Sequence, residues 1–203
     1  MKYIGPDFCN ITSLLSDEEL LIQKTANEFV AKEFLPIVNE YYEKGSFPTE
    51  LISKMGELGF FGATLPKKYG GSEISSTAYG LIMQELEKGD SGLRSVCSVQ
   101  GGLVMYPIFE YGSQEQKDKW LSKLASGQAV GCFGLTESNH GSDPSGMKTR
   151  AVRDGDDWII NGSKMWITNG SIADVAVVWA KDEDGIVRGF LIEKGTEGFS
   201  SSD

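Results

Sequence analysis

The sequence predicts an α+β protein of two domains: an all-α N-terminal domain over residues 1–128, and an antiparallel, barrel-like β-domain over residues 129–203. Three observations support this prediction. Apolar residues recur at helical spacing, with helix-capping signals, through the first part. From Ala129 the pattern changes to short β-branched and aromatic runs separated by turn residues. A run of helices followed by a run of strands is typical of separate α and β domains instead of alternating βαβ units.

Five helices are predicted in the first domain. The first follows a capping box at residues 16–19 and is bent or ended by Pro36. The second begins after Pro48 and ends near Gly59, a residue suited to a C-terminal cap. The other three are predicted at residues 75–88, at 93–111, and from the capping box at 113–116 to Gly127.

Six short strands are predicted in the second domain. Turn sequences such as Asn161-Gly162 separate them, which favours hairpins and therefore an antiparallel sheet. The predicted strands are residues 130–136, 149–153, 158–160, 163–167, 175–180 and 188–193.

Composition and charge exclude several classes of partner. The chain is 40% hydrophobic and 24% charged, which is typical of globular domains, and 19 basic against 29 acidic residues give a net charge of −10. Such a charge repels phosphate backbones and anionic lipid surfaces, so neither nucleic acid nor a membrane is an expected partner. The three cysteines have no disulfide or metal spacing and the N-terminus has no apolar signal core. The expected location is the bacterial cytoplasm, or the mitochondrial matrix in a eukaryote.

Familiar catalytic and metal sites are missing from the sequence. His140 is the only histidine, and it has no cysteine or second histidine at ligand spacing, so no metal site or histidine-dependent triad is predicted. The sequence also has no G-x-G-x-x-G after a strand and no P-loop.

Two segments carry chemical information. In residues 133–144 a strand end runs into a loop of glycine and small hydroxyl residues, which can present N–H groups and hydroxyls to a ligand. Residues 164–170 again place an aromatic residue and a threonine at a strand end. Either segment alone is more typical of an ordinary hairpin turn than of a binding site.

Together and in this order, the two segments resemble the flavin-binding segments of the acyl-CoA dehydrogenase family. The resemblance extends through the helical part, at residues 55–60, 69–71 and 111–117. Residues 85–95, 132–137 and 189–195 are most similar to the glutaryl-CoA dehydrogenase branch of that family.

The resemblance implies that FAD is the cofactor and assigns residues to it. Thr136 and Thr168 would be among the donors that a flavin needs at its pyrimidine edge when it accepts a hydride. Trp166 would keep water from the ring, and a core tryptophan of the β-domain is the alternative interpretation. The implied cofactor-binding residues are Phe133, Gly134, Leu135, Thr136, Gly141, Ser142, Trp166, Ile167 and Thr168.

The resemblance also implies a substrate with a terminal carboxylate. Arg94 and Ser95 would bind that carboxylate, since a guanidinium pairs with carboxylates in bidentate geometry. Glu87 would hydrogen-bond the arginine, and Ser142 would contact the thioester ligand. The alternative is a surface arginine after a glycine turn.

The implied reaction is α,β-dehydrogenation of glutaryl-CoA with oxidative decarboxylation to crotonyl-CoA, with electrons passing to an electron-transfer flavoprotein from a homotetramer. In this family the catalytic glutamate and a C-terminal four-helix domain lie in a region that these 203 residues do not contain. We therefore expect no catalytic residue here and no activity from this chain alone. Two alternatives stay open: a truncated, non-catalytic module that binds acyl-CoA or protein, and a dehydrogenase for monocarboxylic acyl-CoA.

Overall fold

The computed structural model describes residues 7–202, and its first part is helical. Serine side chains cap the helices where the sequence predicts capping boxes. The Ser16 hydroxyl accepts from the Glu19 N–H, and the Glu19 carboxylate accepts from the Ser16 N–H. The α-helices are α1 Asp17–Phe29, α2 Val38–Lys44, α3 Leu51–Glu57, α4 Ser76–Gly89, α5 Ser91–Ser98, α6 Tyr106–Tyr111 and α7 Gln114–Ala125.

Two of the predicted helices contain π-helical turns. The first predicted helix continues from α1 through a π-helical segment, Val30–Phe34, and stops before α2. The helix predicted at 93–111 is α5, a π-helical segment Val99–Met105, and α6 in succession. It begins two residues early, because the Asp90 carboxylate accepts from the N–H groups of Gly92 and Leu93 and caps α5 there.

The second part is a five-stranded mixed sheet, so the prediction of a wholly antiparallel domain was wrong, although two of its four strand pairings are antiparallel. Its central strand β4 runs parallel to β1, in register from Gly131↔Val175, and antiparallel to β5. The hairpin of β2 and β3 joins β4 only at its end, through Arg150↔Lys181. The strands are β1 Gly131–Gly134, β2 Arg150–Asp154, β3 Asp157–Asn161, β4 Val175–Lys181 and β5 Val187–Glu193.

The connection between β1 and β4 explains the error. Turn residues constrain only strands joined by a short hairpin, whereas residues 135–174 separate β1 from β4 and leave their relative direction free. The predicted strand at 163–167 is also absent. There Met165 makes one backbone hydrogen bond across to Thr136, and Trp166 has φ +61°, a left-handed value that ends an extended run.

The two faces of the sheet have different surroundings. On one face, Val175 and Val177 belong to the helical core, and Phe133 and Trp179 pack against it. On the other face, Cys132, Ala176 and Val178 form a smaller cluster that contacts Ile167, Ile192 and Phe199. Side chains of a strand alternate between faces, so β4 is buried on both sides. Among residues 7–202, no helix is both long and apolar enough to cross a bilayer.

Candidate functional site

The two segments predicted to bind a ligand lie side by side. The carbonyl of Thr136 accepts a hydrogen bond from the Met165 N–H at 2.9 Å. The carbonyl of Leu135 accepts from Lys164 Nζ at 3.1 Å. The end of β1 and the stretch before Asn169 therefore form one structural unit, although about thirty residues separate them in the sequence.

A concave cavity of about 1730 Å³ opens beside this unit, over the face of the sheet opposite the helices. Gly134 and the stretch from Lys164 to Thr168 line part of it. Ile167 packs onto the small sheet cluster, whereas the Trp166 side chain is 86% exposed. The interpretation of Trp166 as a core tryptophan is therefore wrong in the described part of the chain. Left-handed backbone at such a bulky residue is rare and is found mainly at functional sites.

The structure divides the predicted cofactor residues into groups. Gly134, Trp166, Ile167 and Thr168 line the cavity. The ring of Phe133 lies on the opposite face, in edge contact with Trp179 at 5.9 Å between ring centroids. The carbonyls of Leu135 and Thr136 accept the hydrogen bonds from Lys164 and Met165 that connect the two segments, a place called the joint below. Gly141 and Ser142 are exposed in the loop beyond a tight backbone turn between Glu137 and His140.

The polar groups at this joint are suited to a hydrogen-bonding ligand. Among residues 7–202, neither the Thr136 nor the Thr168 hydroxyl has a hydrogen-bond partner. Asn169 donates to the Gly131 carbonyl, but its buried Oδ1 has no partner among those residues. Buried polar atoms are usually paired, so Asn169 Oδ1 is the exception here, whereas Thr168 is exposed and Thr136 half-buried. The two accessible hydroxyls fit a planar ligand with hydrogen-bonding groups at its edge, and the exposed Trp166 ring fits an aromatic face.

A buried ion pair links the same two segments, and sequence reasoning missed it. Lys164 Nζ lies 2.9 Å from Glu137 Oε1, and both side chains are almost fully buried. Burial alone would raise the pKa of Glu137, but hydrogen bonds from the Lys148 N–H, from Thr149 and from Lys164 outweigh it and lower that pKa to about 2. The available sequence signal was an acidic residue in the first segment and a lysine in the second.

Glu87 and Arg94, the pair expected to bind substrate, are in contact between α4 and α5. Arg94 Nε donates to Glu87 Oε2 at 2.8 Å, and Arg94 Nη1 donates to Ser98 Oγ at 3.1 Å. The hydrogen bond from Arg94 lowers the pKa of Glu87. Ser95, half-buried, follows Arg94 in α5. The arginine is thus held by neighbours at 35% side-chain exposure, unlike a free surface arginine.

Comparison with known proteins decides the family. The model of the acyl-CoA dehydrogenase N-terminal domain matches residues 16–128, and the model of the middle domain matches residues 132–203. The chain belongs to the acyl-CoA dehydrogenase family.

Curated relatives of this chain are bacterial and mitochondrial. It is 38% identical over 193 residues to a probable acyl-CoA dehydrogenase, YngJ, of Bacillus subtilis, covering 92% of this chain and 50% of the relative. It is 40% identical over 193 residues to the short-chain specific acyl-CoA dehydrogenase of Clostridium acetobutylicum, with the same coverage of 92% and 50%. The chain therefore spans about half the length of the curated relatives it matches.

Solved structures agree closely with the fold. The crystal structure of glutaryl-CoA dehydrogenase from Mycobacterium smegmatis superimposes with a TM-score of 0.92 at 53% identity, over 96% of this chain and 50% of that one. A glutaryl-CoA dehydrogenase from the same organism, crystallised in complex with FADH2, superimposes with a TM-score of 0.94 at 49% identity, over 97% and 50%.

One further residue near Arg94, Tyr79, was missed in the sequence. Burial raises the pKa of Tyr79 to about 12, and the positive charge of Arg94 acts in the opposite direction, so the phenol lies within electrostatic range of the arginine. A β-carbon placed on Gly101 or on Gly102 would lie 3.9 Å from the Tyr79 hydroxyl. That is ordinary van der Waals contact, whereas a β-carbon on Gly101 would lie 2.6 Å from the Phe61 carbonyl oxygen, so it is this backbone approach that requires glycine there. In a sequence, an aromatic residue at helical spacing gives the same signal whether its side chain packs in the core or lines a binding site.

Proposed function

We propose that this chain forms the FAD-binding and acyl-CoA-binding half of a glutaryl-CoA dehydrogenase, with the helical domain at residues 1–128 and the β-domain at 129–203. In this proposal the complete enzyme oxidises and decarboxylates glutaryl-CoA to crotonyl-CoA, passes electrons to an electron-transfer flavoprotein and assembles as a homotetramer. None of these residues is assigned as the catalytic base. The observation that carries the proposal is that Glu87 and Ser98 fix the guanidinium of Arg94 by hydrogen bonds.

The cofactor would lie at the joint between the two segments. The hydroxyls of Thr136 and Thr168, which have no partner within residues 7–202, support this, as does the exposed ring of Trp166 at the cavity. Bound FAD would supply the hydride acceptor of the reaction. The chain's own residues would orient the ring and donate hydrogen bonds to its edge. Phe133, Gly134, Leu135, Gly141, Ser142 and Ile167 complete the proposed cofactor set, with Ser142 also contacting the thioester.

The terminal carboxylate of the acyl group would bind Arg94 and Ser95. Glu87 and Ser98 occupy Nε and Nη1 of the guanidinium, and among residues 7–202 nothing hydrogen-bonds its Nη2. A guanidinium fixed in this way presents donors to a second carboxylate with little loss of side-chain entropy. Identity of 53% to a glutaryl-CoA dehydrogenase also favours this substrate.

A short monocarboxylic acyl-CoA is the second candidate. The identity of 40% to a short-chain specific dehydrogenase favours it. The two candidates differ in what they require of Arg94, because a monocarboxylic acyl chain has no second carboxylate to pair with it. A non-catalytic binding module would bind both ligands without reducing a flavin.

Variants of the purified chain test the proposal. The visible absorption spectrum reports bound flavin, and calorimetric titration measures the affinities for glutaryl-CoA and butyryl-CoA. Arg94→Gln should weaken glutaryl-CoA binding by about 10- to 100-fold, the range for a charge-assisted hydrogen-bonded pair, and leave butyryl-CoA binding unchanged.

Arg153→Gln, in β2 and stacked on Trp158, serves as the matched control and should change neither affinity. Equal weakening of both ligands by Arg94→Gln would contradict the glutaryl assignment. A wild-type chain that takes up no flavin would contradict the cofactor assignment.

A further inference from the structure

A buried lysine crosses between the two segments that form the cavity edge. Lys164 belongs to the second segment, yet its Nζ donates to the Leu135 carbonyl at 3.1 Å and to Glu137 Oε1 at 2.9 Å, both in the first. Its side chain is 10% exposed and that of Glu137 is 8% exposed. A charge buried to this extent needs partners, so the contact has a defined geometry.

Residues that follow the first segment hold Glu137 in place without Lys164. Glu137 Oε1 accepts from the Thr149 N–H at 3.0 Å and from its hydroxyl at 2.5 Å, and Oε2 accepts from the Lys148 N–H at 2.6 Å. The carboxylate therefore keeps three donors whether or not Lys164 is present. The second segment is fixed at its far end, where Asn169 donates to the Gly131 carbonyl at 3.1 Å and Ile167 packs on the sheet, so Lys164 and the Met165 N–H are the contacts that fix its near end.

Backbone pairing between the segments is sparse. Within residues 7–202, one backbone hydrogen bond, from the Met165 N–H to the Thr136 carbonyl, joins residues 133–137 to residues 163–168. The next residue, Trp166, has left-handed backbone and an exposed ring, so it contributes little to fixing the segment. One hydrogen bond at a chain surface opens readily, whereas a buried charged contact beside it does not.

We propose that Lys164 is a positioning residue whose bond to Glu137 and Leu135 sets the spacing between the two segments. Through that spacing it holds the Thr136 hydroxyl, the Trp166 ring and the Thr168 hydroxyl in one arrangement suited to a planar ligand. The inference rests on the proposed function only for the identity of that ligand, the isoalloxazine of FAD.

Lys164→Met is the test variant. Methionine keeps the unbranched apolar stem and removes the ammonium group, and Glu137 retains its other donors, so the fold should persist. Lys54→Met is the matched control, because Lys54 pairs with Glu33 on the exposed surface of the helical domain.

The first measurement is amide hydrogen exchange of the chain without flavin. Protection of the Met165 N–H should fall about tenfold or more in Lys164→Met, while protection of the Val177 N–H in β4 and of all amides in Lys54→Met stays within about twofold. Unchanged protection at Met165 would overturn the proposal. An equal loss at Val177 would also overturn it, because Lys164 would then support overall stability instead of local spacing.

The second measurement is titration with FAD, followed by quenching of flavin fluorescence. Lys164→Met should weaken FAD binding by about tenfold or more, and Lys54→Met should not. If Met165 loses protection as expected but the wild-type chain binds no FAD, the positioning role stands and the proposed cofactor fails. If wild type and Lys164→Met bind FAD equally tightly although Met165 has lost protection, the role of Lys164 toward the ligand is refuted.

Discussion

Gln100 connects the helical domain to the sheet, and its replacement by leucine should be costly. Its side chain is 1% exposed in the π-helical segment between α5 and α6. Nε2 donates to the carbonyls of Leu124 at 2.9 Å and Ala129 at 2.8 Å, and Oε1 accepts from the Gly131 N–H at 2.8 Å. Gln100→Leu keeps nearly the same volume and removes all three hydrogen bonds.

The size of the stability loss depends on which of the three backbone groups keeps another hydrogen-bond partner. The Leu124 carbonyl also accepts from the Gly127 N–H at 3.2 Å, so it remains satisfied. The Ala129 carbonyl and the Gly131 N–H lose their side-chain partner in a buried position. A buried polar group without a partner costs about 1–3 kcal/mol, so the expected loss of unfolding free energy is about 3 kcal/mol, a large part of the ~5–15 kcal/mol of a typical domain.

Urea unfolding measures this loss, with circular dichroism reporting the helices and tryptophan fluorescence reporting both domains. Gln114→Leu is the control, because the exposed Gln114 bonds only Tyr69 and Asp118 in the described residues and should lose less than about 0.5 kcal/mol. A Gln100→Leu chain within about 1 kcal/mol of wild type would refute the reasoning that the two orphaned backbone groups dominate.

Two further predictions concern backbone space and pH. Gly71→Ala should lower the unfolding free energy by about 2 kcal/mol or more, because a β-carbon would lie 1.9 Å from the Leu65 carbonyl oxygen. Gly80 lies in α4, where an added β-carbon would have no heavy atom of the described residues outside the neighbouring helix backbone within 4 Å, so Gly80→Ala should instead raise the unfolding free energy by about 0.5–1 kcal/mol. Equal urea midpoints for the two variants would contradict both predictions. Glu137 has a folded pKa of about 2 against an ordinary value of 4.5, so its stabilising contribution is present above pH 4.5 and is lost as the pH falls toward 2. The difference in unfolding free energy between wild type and Glu137→Gln should therefore shrink by about 2 kcal/mol between pH 4.5 and pH 2. If the unfolding free energies of the two proteins change in parallel with pH, the lowered pKa of Glu137 would be disproved.

The helical domain was predictable because its signals are local. A capping serine acts on the N–H three residues later, and an apolar stripe repeats every three or four residues, so the evidence for a helix lies within the helix. The capping boxes at Ser16 and Ser113 are present as predicted. The π-helical turns were not predicted, because backbone packing such as that between Gly101 and the Phe61 carbonyl comes from distant parts of the chain.

The sheet and the site were predictable only in part. Residues that form strands were recognised, but the parallel pairing of β1 with β4 depends on a contact across a long connection. The contact between Glu87 and Arg94 was expected from family resemblance, and the structure contains it. The buried Glu137–Lys164 pair was missed, because two opposite charges at distant positions look like ordinary surface residues in a sequence.

By itself, the sequence determined the family, the change from helices to strands near residue 129, and the net charge of −10. These properties depend on residue types and on spacings of a few residues. Only the tertiary structure decided the mixed direction of the sheet, the turn at Trp166 in place of a strand, and the bond from Lys164 to the first segment. Those features depend on which distant residues meet when both domains bury their apolar faces, and local sequence does not encode that.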